Sequence, residues 1–410
     1  MEKPDARAAF RYPSFRHFLG YRVLSVLSSE MVAVAVGWQV YELTHRPVDL
    51  GLVGLAQFLP GILLFLVAGH AADRIPRRRI LLACLGGFTL ASLLLLLFSI
   101  RGIHEVYPIY LVLLLNGAAR AFGQPATQAL LPTLLDEKHF ANAVAWSASM
   151  FRTANIVGPI VGGLVYGFSN SPVPVYGLAV LCYLAALLMA ARIQVKTAAR
   201  PRTPASLSMI LDGFRYLWSN RLILGAISLD LFAVLLGGAV ALLPVYASEI
   251  LKVGAIGLGI LRCAPGAGAV VTAIALAHRP LGRRQGEIML WCVFGFGVFT
   301  VIFGVSHNLA LSLVALALTG ATDMVSVVVR STMVQLGTPD HMRGRVSAVN
   351  AVFIGASNEV GQFESGMTAQ WFGTVPAVIL GGVGTIAVVA LWARWFPELR
   401  QAPEAVPLIQ

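Results

Sequence analysis

Charged residues are scarce in this chain of 410 residues. Asp, Glu, Lys and Arg together account for 12% of the sequence, whereas hydrophobic residues account for 57%. A soluble domain of this length has no core large enough to bury that much apolar surface. The composition therefore excludes a soluble globular protein and predicts an integral membrane protein whose helices cross the bilayer several times.

Motifs for nucleotide, metal and hydrolytic chemistry are also absent from the sequence. It contains no Gly-x-x-x-x-Gly-Lys-Ser/Thr loop for ATP, no His-Glu-x-x-His or Cys-x-x-Cys pattern for a metal, and no Gly-x-Ser-x-Gly turn for a nucleophilic serine. Each of the four cysteines falls within a predicted helix, and we interpret them as packing residues: Cys84, Cys182, Cys263 and Cys292. We therefore expect no enzyme activity, no cofactor and no metal site.

Twelve apolar stretches fill the chain instead. A helix needs about 20 mostly apolar residues to cross roughly 30 Å of hydrocarbon. The predicted spans are 18–43, 49–72, 80–100, 107–130, 142–168, 173–193, 222–249, 254–278, 287–305, 308–331, 344–370 and 374–396. The two sets of six repeat with an offset of roughly 204 residues, which for example aligns Asp136 with Asp340. The predicted fold class is all-α integral membrane, with 12 transmembrane helices in two pseudo-symmetric six-helix bundles.

The predicted domains follow this duplication. Residues 1–193 form an N-terminal bundle, residues 194–220 a cytoplasmic linker, and residues 221–410 a C-terminal bundle with a short tail. The linker contains an amphipathic stretch, Leu207 to Trp218, that we expect on the inner membrane face. Since one chain supplies both bundles, we expect a monomer.

The net charge of +11 is explained by topology rather than by nucleic acid. Lys and Arg concentrate in one set of predicted loops, whereas the opposite loops hold only Arg46, Arg101 and Lys252. Cytoplasmic loops carry such an excess, and it also attracts anionic lipid headgroups. We therefore expect both termini on the cytoplasmic side of a bacterial inner membrane, without a cleavable signal peptide.

Two motifs resemble those of the major facilitator superfamily. The loop after the second span reads Gly69-His70-Ala71-Ala72-Asp73-Arg74-Ile75-Pro76-Arg77-Arg78-Arg79, similar to the superfamily signature Gly-x-x-x-Asp-Arg-x-Gly-Arg-Arg. The fifth span carries Gly158-Pro159-x-x-Gly162-Gly163, similar to a motif associated with exporters. The resemblance implies two bundles that rock about a central cavity and expose it alternately to each side.

Four further stretches resemble the branch of the superfamily that contains bacterial siderophore (enterobactin-type) exporters and related drug efflux permeases. They are Tyr41-Glu42-Leu43-Thr44, Leu243-Pro244-Val245-Tyr246-Ala247, Leu261-Arg262-Cys263-Ala264-Pro265-Gly266 and Thr338-Pro339-Asp340-His341-Met342-Arg343-Gly344-Arg345-Val346. The resemblance covers nearly the whole chain. Two positions depart from the signature: Pro76 replaces a Gly, and Arg279 stands where the second copy would have an Asp.

The signature loop predicts a cytoplasmic gate. We expect Asp73 to pair with Arg343 or Arg345 in one conformational state and to release it in the other. The alternative is a loop that only sets topology. The predicted gate residues are Gly69, Asp73, Arg74, Arg77, Arg78, Arg343 and Arg345.

The exporter-like motif predicts a tight helix seam. Small residues four positions apart let two helices approach closely in lipid, and a proline beside them bends the helix. We expect the partner surface on the eighth span, at Gly259, Gly266 and Gly268, in a resting state open to the cytoplasm. Generic helix packing is the alternative. The residues of the motif are Asn155, Gly158, Pro159, Gly162 and Gly163.

Charged residues inside the predicted spans mark the transport route, because they are costly in lipid unless paired or hydrated. The acids identified are Glu30, Asp230, Asp323, Glu359 and Glu364, and the bases are Arg120, Arg152 and Arg262. Five acids against three bases leave a surplus of two, and an unpaired buried acid takes up a proton. The predicted proton-coupling residues are Glu359, in first place, and Asp230, Asp323 and Glu30. The predicted substrate cavity comprises Arg120, Glu30, Asp230, Gln362, Glu364 and Arg152.

The leading hypothesis is a secondary active exporter that exchanges a small organic molecule, a siderophore or a lipophilic drug, for protons. Its partners would be that substrate, protons and the lipid bilayer, with no nucleic acid. A lipid or lysolipid flippase, or a facilitator without proton coupling, is the alternative, and it would depend little on the proton gradient. A non-transporting membrane sensor needs no titrating acids inside the membrane, so it leaves their presence unexplained.

Overall fold

The computed structural model describes residues 7–102, 105–195, 207–279, 281 and 284–400. Throughout these ranges the regular structure is helical. The helices are α1 Pro13–Thr44, α2 Pro47–Leu63, α3 Phe65–Arg74, α4 Arg77–Ile100, α5 Tyr107–Leu130, α6 Phe140–Ser169, α7 Val173–Ala191, α8 Leu207–Ser219, α9 Arg221–Leu236, α10 Leu243–Val245, α11 Gly254–His278, α12 Gln285–Val305, α13 Leu309–Gly337, α14 Asp340–Phe372 and α15 Thr374–Trp395.

Two predicted spans are interrupted in the structure. The span at 49–72 divides into α2 and α3 at Leu64. The span at 222–249 stops as α-helix at Leu236, and a 3-10 turn, Ala239–Leu242, precedes α10 and a π-helical turn, Tyr246–Ile250. Consecutive glycines at 237 and 238 weaken the helix there, and Pro244 has no backbone N–H to continue it.

Among the described residues, eight helical segments are long and apolar enough to cross a membrane: α1, α4, α7, the segment Arg221–Ile250, α11, α12, α13 and α15. α2 is apolar but has only 17 residues. α5, α6 and α14 are longer, with 24, 30 and 33 residues, yet each has polar or charged residues in its interior. A membrane helix carries such residues where it faces water or other polar groups.

The chain divides into two compact units by contacts between Cα atoms. The N-terminal unit comprises residues 1–44 and 56–205, and the C-terminal unit comprises residues 45–55 and 206–410. The start of α2 and the linker helix α8 therefore belong with the C-terminal unit. The division at residues 193 and 220 drawn from the sequence stays a prediction.

In the N-terminal unit, the exporter-like motif of α6 packs against α1. A Cβ atom on Gly158 would lie 2.5 Å from the Glu30 Cβ, and one on Gly162 would lie 2.9 Å from the Met31 Cα. Pro159 is buried beside them. The sequence predicts that the glycines of α6 pack against Gly259, Gly266 and Gly268. In the structure, Gly158 and Gly162 instead permit a close approach to α1.

In the C-terminal unit, Gly268 instead serves the contact between α11 and α13. A Cβ on Gly268 would clash with the carbonyl oxygen of Ala317, and one on Gly320 would clash with the carbonyl oxygen of Pro265. The missing side chains therefore let the two backbones touch. This close contact between α11 and α13 fixes the position of α13, which carries Asp323 and Arg330.

The linker helix α8 packs on the start of α14. Arg345 donates a hydrogen bond to Asp212 at 3.0 Å, and the rings of Phe214 and Phe353 meet edge to face with centroids 5.5 Å apart. Tyr216 donates to the carbonyl oxygen of Gly337 at 3.2 Å. Trp218 stacks on Phe214 with ring centroids 6.2 Å apart and is otherwise exposed, as expected of an amphipathic helix at a membrane surface.

Candidate functional site

A cavity of about 280 Å³ lies inside the C-terminal unit. Five helices and the interruption after α9 contribute to its wall. The lining residues are Asp230, Val234, Gly237, Gly238, Ala239, Val240, Pro265, Phe296, Thr300, Phe303, Leu316, Thr319, Gly320, Asp323, Val327, Arg330, Ile354, Asn358 and Gln362. The wall is thus an apolar shell that contains two carboxylates, one guanidinium, two hydroxyls and two side-chain amides.

The end of α9 contributes backbone to this wall. Gly237, Gly238, Ala239 and Val240 line the cavity where the regular α-helix has stopped. The last carbonyl groups of a helix lack partners within the helix and carry a partial negative charge. This end of the cavity therefore favours a proton, a water molecule or a cation over an anion.

An ion pair joins α9 to α13 at the cavity. The guanidinium of Arg330 contacts the carboxylate of Asp230, and the two side chains are only 4% and 7% exposed. The Arg330 Nε is buried and has no hydrogen-bond partner among the described residues. Removing one member of a buried pair typically costs about 3–5 kcal/mol, because the other charge stays buried alone. The pair is therefore a strong constraint on the relative position of α9 and α13.

Asp323 stands on the same wall, two helical turns before Arg330 on α13. Residues seven positions apart lie on one face of an α-helix, so both side chains approach the cavity from the same side. Arg330 thus lies in a cavity lined by two carboxylates, Asp230 and Asp323.

Glu359, the first predicted proton carrier, lies one hydrogen bond from the cavity. The side-chain amide of Gln362, which lines the cavity, donates to Glu359 at 3.2 Å. A Cβ on Gly54 of α2 would lie 3.4 Å from the same carboxylate. Glu364 is half-buried and accepts a hydrogen bond from Thr368 at 2.7 Å. The structure therefore groups Asp230, Asp323 and Gln362 around one cavity and leaves the two glutamates outside its lining.

The N-terminal unit places its predicted site residues differently. Arg120 on α5 and Arg152 on α6 are exposed, whereas Glu30 on α1 is half-buried beside Gly158. Gln124 and Gln128 follow Arg120 at intervals of four residues and are also exposed. Such spacing puts all three on one face of α5.

Two interior arginines were missed by the sequence analysis. Arg22 on α1 donates a hydrogen bond to Ser147 at 2.6 Å and lies over the ring of Phe151, 5.1 Å from its centroid. Arg330 pairs with Asp230 as described. Both fall inside the predicted spans 18–43 and 308–331, so their presence in an apolar run was the signal that should have identified them.

The predicted surplus of two acids is therefore wrong. Ten charged residues lie at least six positions from the ends of the described membrane helices, and the two signs are equal in number. The acids are Glu30, Asp230, Asp323, Glu359 and Glu364, and the bases are Arg22, Arg120, Arg152, Arg262 and Arg330. Their distribution is unequal: the N-terminal unit holds one acid and three bases, and the C-terminal unit holds four acids and two bases.

Arginines of the signature loop bind the ends of neighbouring helices. Arg77 donates to the carbonyl oxygen of Ala129 at 2.8 Å, and Arg78 donates to that of Ala191. These carbonyls lie at the C-terminal ends of α5 and α7, where a positive charge is favourable. Gly69 is half-buried in α3 and Arg74 is exposed.

The predicted pairing of Asp73 with Arg343 or Arg345 lies partly outside the described residues, since the side chain of Asp73 is not described. Arg345 pairs with Asp212 at 3.0 Å, and Arg343 donates to the carbonyl oxygen of Gln335 at 2.8 Å. Within the N-terminal unit, Asp136 accepts a hydrogen bond of 2.6 Å from Tyr12, which raises the pKa of that tyrosine. The pairing of Asp73 with Arg343 or Arg345 stays a prediction.

Comparison with known proteins agrees with this architecture. Residues 5–405 match the family of transmembrane secretion effectors, a branch of the major facilitator superfamily. The chain belongs to this family. It is therefore a multi-pass membrane transporter, and the predicted fold class and resemblance are confirmed.

The chain is similar to enterobactin exporters over almost its full length. It is 26% identical over 401 residues to the enterobactin exporter EntS of Shigella boydii serotype 4 (strain Sb227), covering 97% of this chain and 95% of the relative. The identity to the enterobactin exporter EntS of Escherichia coli (strain SE11) is also 26%, with the same coverage.

Solved structures share the fold. A bacterial homologue of the human lysosomal transporter Spinster, in an inward-facing and occupied conformation, superposes with a TM-score of 0.74 at 12% identity, covering 94% of this chain and 97% of that chain. The nucleoside transporter NupG superposes with a TM-score of 0.70 at 13% identity, covering 93% of this chain and 99% of that chain.

Proposed function

We propose that this transporter exports a small organic molecule from the bacterial cytoplasm in exchange for protons, by alternating access. It acts as a monomer in the inner membrane, with both termini in the cytoplasm. The observation that carries this proposal is the cavity in the C-terminal unit, where Asp230, Asp323 and Arg330 meet inside an apolar helix bundle. Carboxylates at such a depth exchange protons when their surroundings change, which is what coupling to a proton gradient requires.

The size of the cavity supports protons rather than substrate as its occupant. Sites for drug-sized molecules usually measure about 300–1,000 Å³, and about 280 Å³ falls below that range. A cavity of this size with polar walls holds water, and water carries protons between carboxylates. We therefore assign proton coupling to Asp230 and Asp323, with Glu359 connected through Gln362, and not to Glu359 alone. Glu30 of the N-terminal unit keeps its predicted role as the fourth proton-coupling residue.

The substrate class follows from the relatives and from the N-terminal unit. The curated relatives are named enterobactin exporters, and we propose a siderophore or a lipophilic drug as the exported molecule. Arg120, Arg152 and Glu30 provide polar contacts on the N-terminal unit, and Gln362 and Glu364 do so on the C-terminal unit. The family places the chain among transporters, and we propose no enzyme activity for it.

Everted membrane vesicles test this function directly. Respiration acidifies their lumen, and a fluorescent pH probe reports the loss of lumenal protons when an exported compound enters in exchange. We would add siderophores, antibiotics, dyes and lysolipids one at a time to vesicles with the wild-type protein. The expected result is lumenal alkalinisation by at least one organic compound, and its absence from vesicles with Asp323→Asn.

Glu287→Gln is the matched control, because Glu287 lies at the start of α12 and pairs with Arg284 at 3.5 Å near the surface. This variant should behave as wild type. If no compound produces a proton signal while the protein is present and folded, proton antiport is refuted. Lysolipid movement without a proton signal would establish the flippase alternative.

A further inference from the structure

We infer that the exposed face of the linker helix α8 binds anionic phospholipid of the inner leaflet, and that the bound lipid holds α8 against α14. This face consists of Leu211, Arg215 and Trp218. The inference goes beyond the proposed transport function, because it concerns a lipid-binding surface and does not depend on which molecule is exported. The occupant to which it commits is a phospholipid whose headgroup has a net negative charge, such as phosphatidylglycerol.

The end of α8 lies beside the end of a membrane-crossing helix. Arg221, two residues after α8, donates a hydrogen bond of 3.1 Å to the carbonyl oxygen of Trp395, the last residue of α15. α15 is long and apolar enough to cross a membrane. The Trp395 side chain is exposed, and exposed tryptophans concentrate at the boundary between hydrocarbon and water. The end of α8 therefore lies at the level of this boundary.

One side of α8 is occupied by protein. A Cβ atom on Gly213 would lie 2.8 Å from the carbonyl oxygen of Arg345, so the absence of a side chain lets α8 approach the start of α14 closely. Leu217, on the same side, is buried in an apolar cluster with Val346 and Val349 of α14. These contacts fix which side of α8 faces the bundle.

The other side of α8 is free of protein contacts of this kind. Leu211, Arg215 and Trp218 follow one another at intervals of four and three residues, which places them on one face, turned away from Gly213 and Leu217. Leu211 is 59% exposed and Trp218 is 70% exposed. A face of large apolar side chains around a basic residue is typical of a helix that lies in the headgroup region of a membrane.

Charge selects the class of lipid. Arg215 is exposed, and its side chain has no ion pair or hydrogen bond among the described residues. Arg221, by contrast, already pairs with Glu398 at 3.5 Å. A guanidinium group binds phosphate oxygens with two parallel hydrogen bonds. A basic residue near an anionic leaflet is also attracted to its surface potential, which a neutral leaflet lacks. The unpaired Arg215 therefore favours an anionic lipid over a zwitterionic one.

Lipid on one face of α8 stabilises the contacts of the other face. α8 has 13 residues, and isolated helices shorter than about 12–15 residues are marginally stable in water. It therefore depends on what covers its two sides. A ligand that binds only the folded, docked helix shifts the equilibrium towards that form. Because α14 also carries Gln362 of the cavity lining, the lipid would act on a helix that reaches the candidate site.

Hydrogen exchange of the full-length protein in lipid nanodiscs tests this inference. Discs of phosphatidylcholine alone are compared with discs of phosphatidylcholine mixed with phosphatidylglycerol, and peptides from Leu207–Ser219 report on α8. The amides of α8 should exchange about fivefold more slowly in the mixed discs, the effect of one basic side chain at an anionic surface. The amides of α12 serve as an internal reference and should exchange at the same rate in both.

Substitutions on the exposed face should remove this lipid effect. Arg215→Gln should lose most of the slowing, whereas Arg215→Lys keeps the charge and should retain most of it. Trp218→Ser should speed exchange of α8 in both kinds of disc, because an apolar anchor is lost. The matched controls are Arg101→Gln, exposed after α4, and Trp371→Ser, 69% exposed at the other end of α14. Both should keep the wild-type difference between the lipids.

Three results would overturn the inference. Equal exchange of α8 in both kinds of disc refutes a preference for anionic lipid. A slowing that survives in Arg215→Gln assigns the lipid effect to a different surface. Protection of α8 that persists in neutral detergent at the level seen in mixed discs shows that another part of the chain covers this face.

Salt gives a second measurement on the unaltered protein. Because ions screen exposed charges, a high salt concentration should remove the difference between the two kinds of disc. A difference that salt leaves unchanged contradicts recognition by Arg215. No substrate or proton gradient enters either measurement, so failure of the lipid inference leaves the proposed export function untouched, and the vesicle assay tests that function separately.

Discussion

Arg330 and Asp230 show how one pair of residues changes the interpretation of a membrane protein. Each charge alone would be costly within an apolar bundle, and together they connect α9 to α13 at the wall of a cavity. Asp230 was predicted from the sequence as an interior acid, whereas Arg330 was not predicted as its base. With the base included, the interior charges of the described helices are equal in number, and their unequal distribution between the two units becomes the informative feature.

At this scale we predict unequal effects of single and double substitutions. Arg330→Met should destabilise the protein by about 3–5 kcal/mol, because Asp230 stays buried without its partner. Asp230→Leu combined with Arg330→Met should recover most of that loss, since two apolar side chains fill a similar volume. Thermal unfolding of the purified variants in detergent measures the loss of stability in the single variant and its recovery in the double variant.

Arg284→Met serves as the control for Arg330→Met. Its carboxylate partner, Glu287, is reached at 3.5 Å on the surface, and exposed pairs contribute about 0–1 kcal/mol. A double variant less stable than Arg330→Met alone would contradict the assignment of a buried, mutually dependent pair.

Helix packing in both units depends on glycines at points of closest approach. Gly158 and Gly162 set α6 against α1, and Gly268 and Gly320 set α11 against α13. Spacing in the sequence identified Gly158, Gly162 and Gly268 as packing positions, but it did not identify Gly320. It did not identify their partners, because every glycine-rich face is compatible with several others.

Alanine substitutions at glycines test this packing at the scale of the element. Gly268→Ala should destabilise by about 1–3 kcal/mol, since its methyl group would overlap the carbonyl oxygen of Ala317 and force the helices apart. The measurement is the unfolding temperature, together with the folded yield from size-exclusion chromatography.

Gly177→Ala is the matched substitution, because nothing lies within 4 Å of a Cβ at that position. It should be neutral or slightly stabilising, since alanine favours a helix by about 1 kcal/mol over glycine. Equal destabilisation by both changes would show that helix–helix contact at Gly268 is not the cause.

For the whole molecule, the distribution of Lys and Arg predicts the topology. Green fluorescent protein fused to the C-terminus should fluoresce, because the prediction places that terminus in the cytoplasm, and alkaline phosphatase fused there should be inactive. Alkaline phosphatase inserted after Lys252, in a loop of the opposite set, should be active. The reverse pattern of activities would invert the predicted orientation and with it the direction of transport.

Local sequence determined the helices of this protein, their approximate bounds and the membrane class, because hydropathy and helix-breaking residues act over a few turns. The interruption after α9 shows the limit: Gly237 and Gly238 were visible, but their place on a cavity wall was not. The same holds for the candidate site. Asp230 and Asp323 were identified as interior acids, and Gln362 as a residue of the predicted substrate cavity.

Only the tertiary structure decided which of these residues meet. It paired Asp230 with Arg330, placed Gln362 between Glu359 and the cavity, and set the exporter-like motif against α1. Partner choice depends on contacts between residues far apart in the chain, whose energies arise from shape and burial that no local pattern contains. The sequence alone determined that charge enters the membrane, and the packing of the helices determined where it is neutralised.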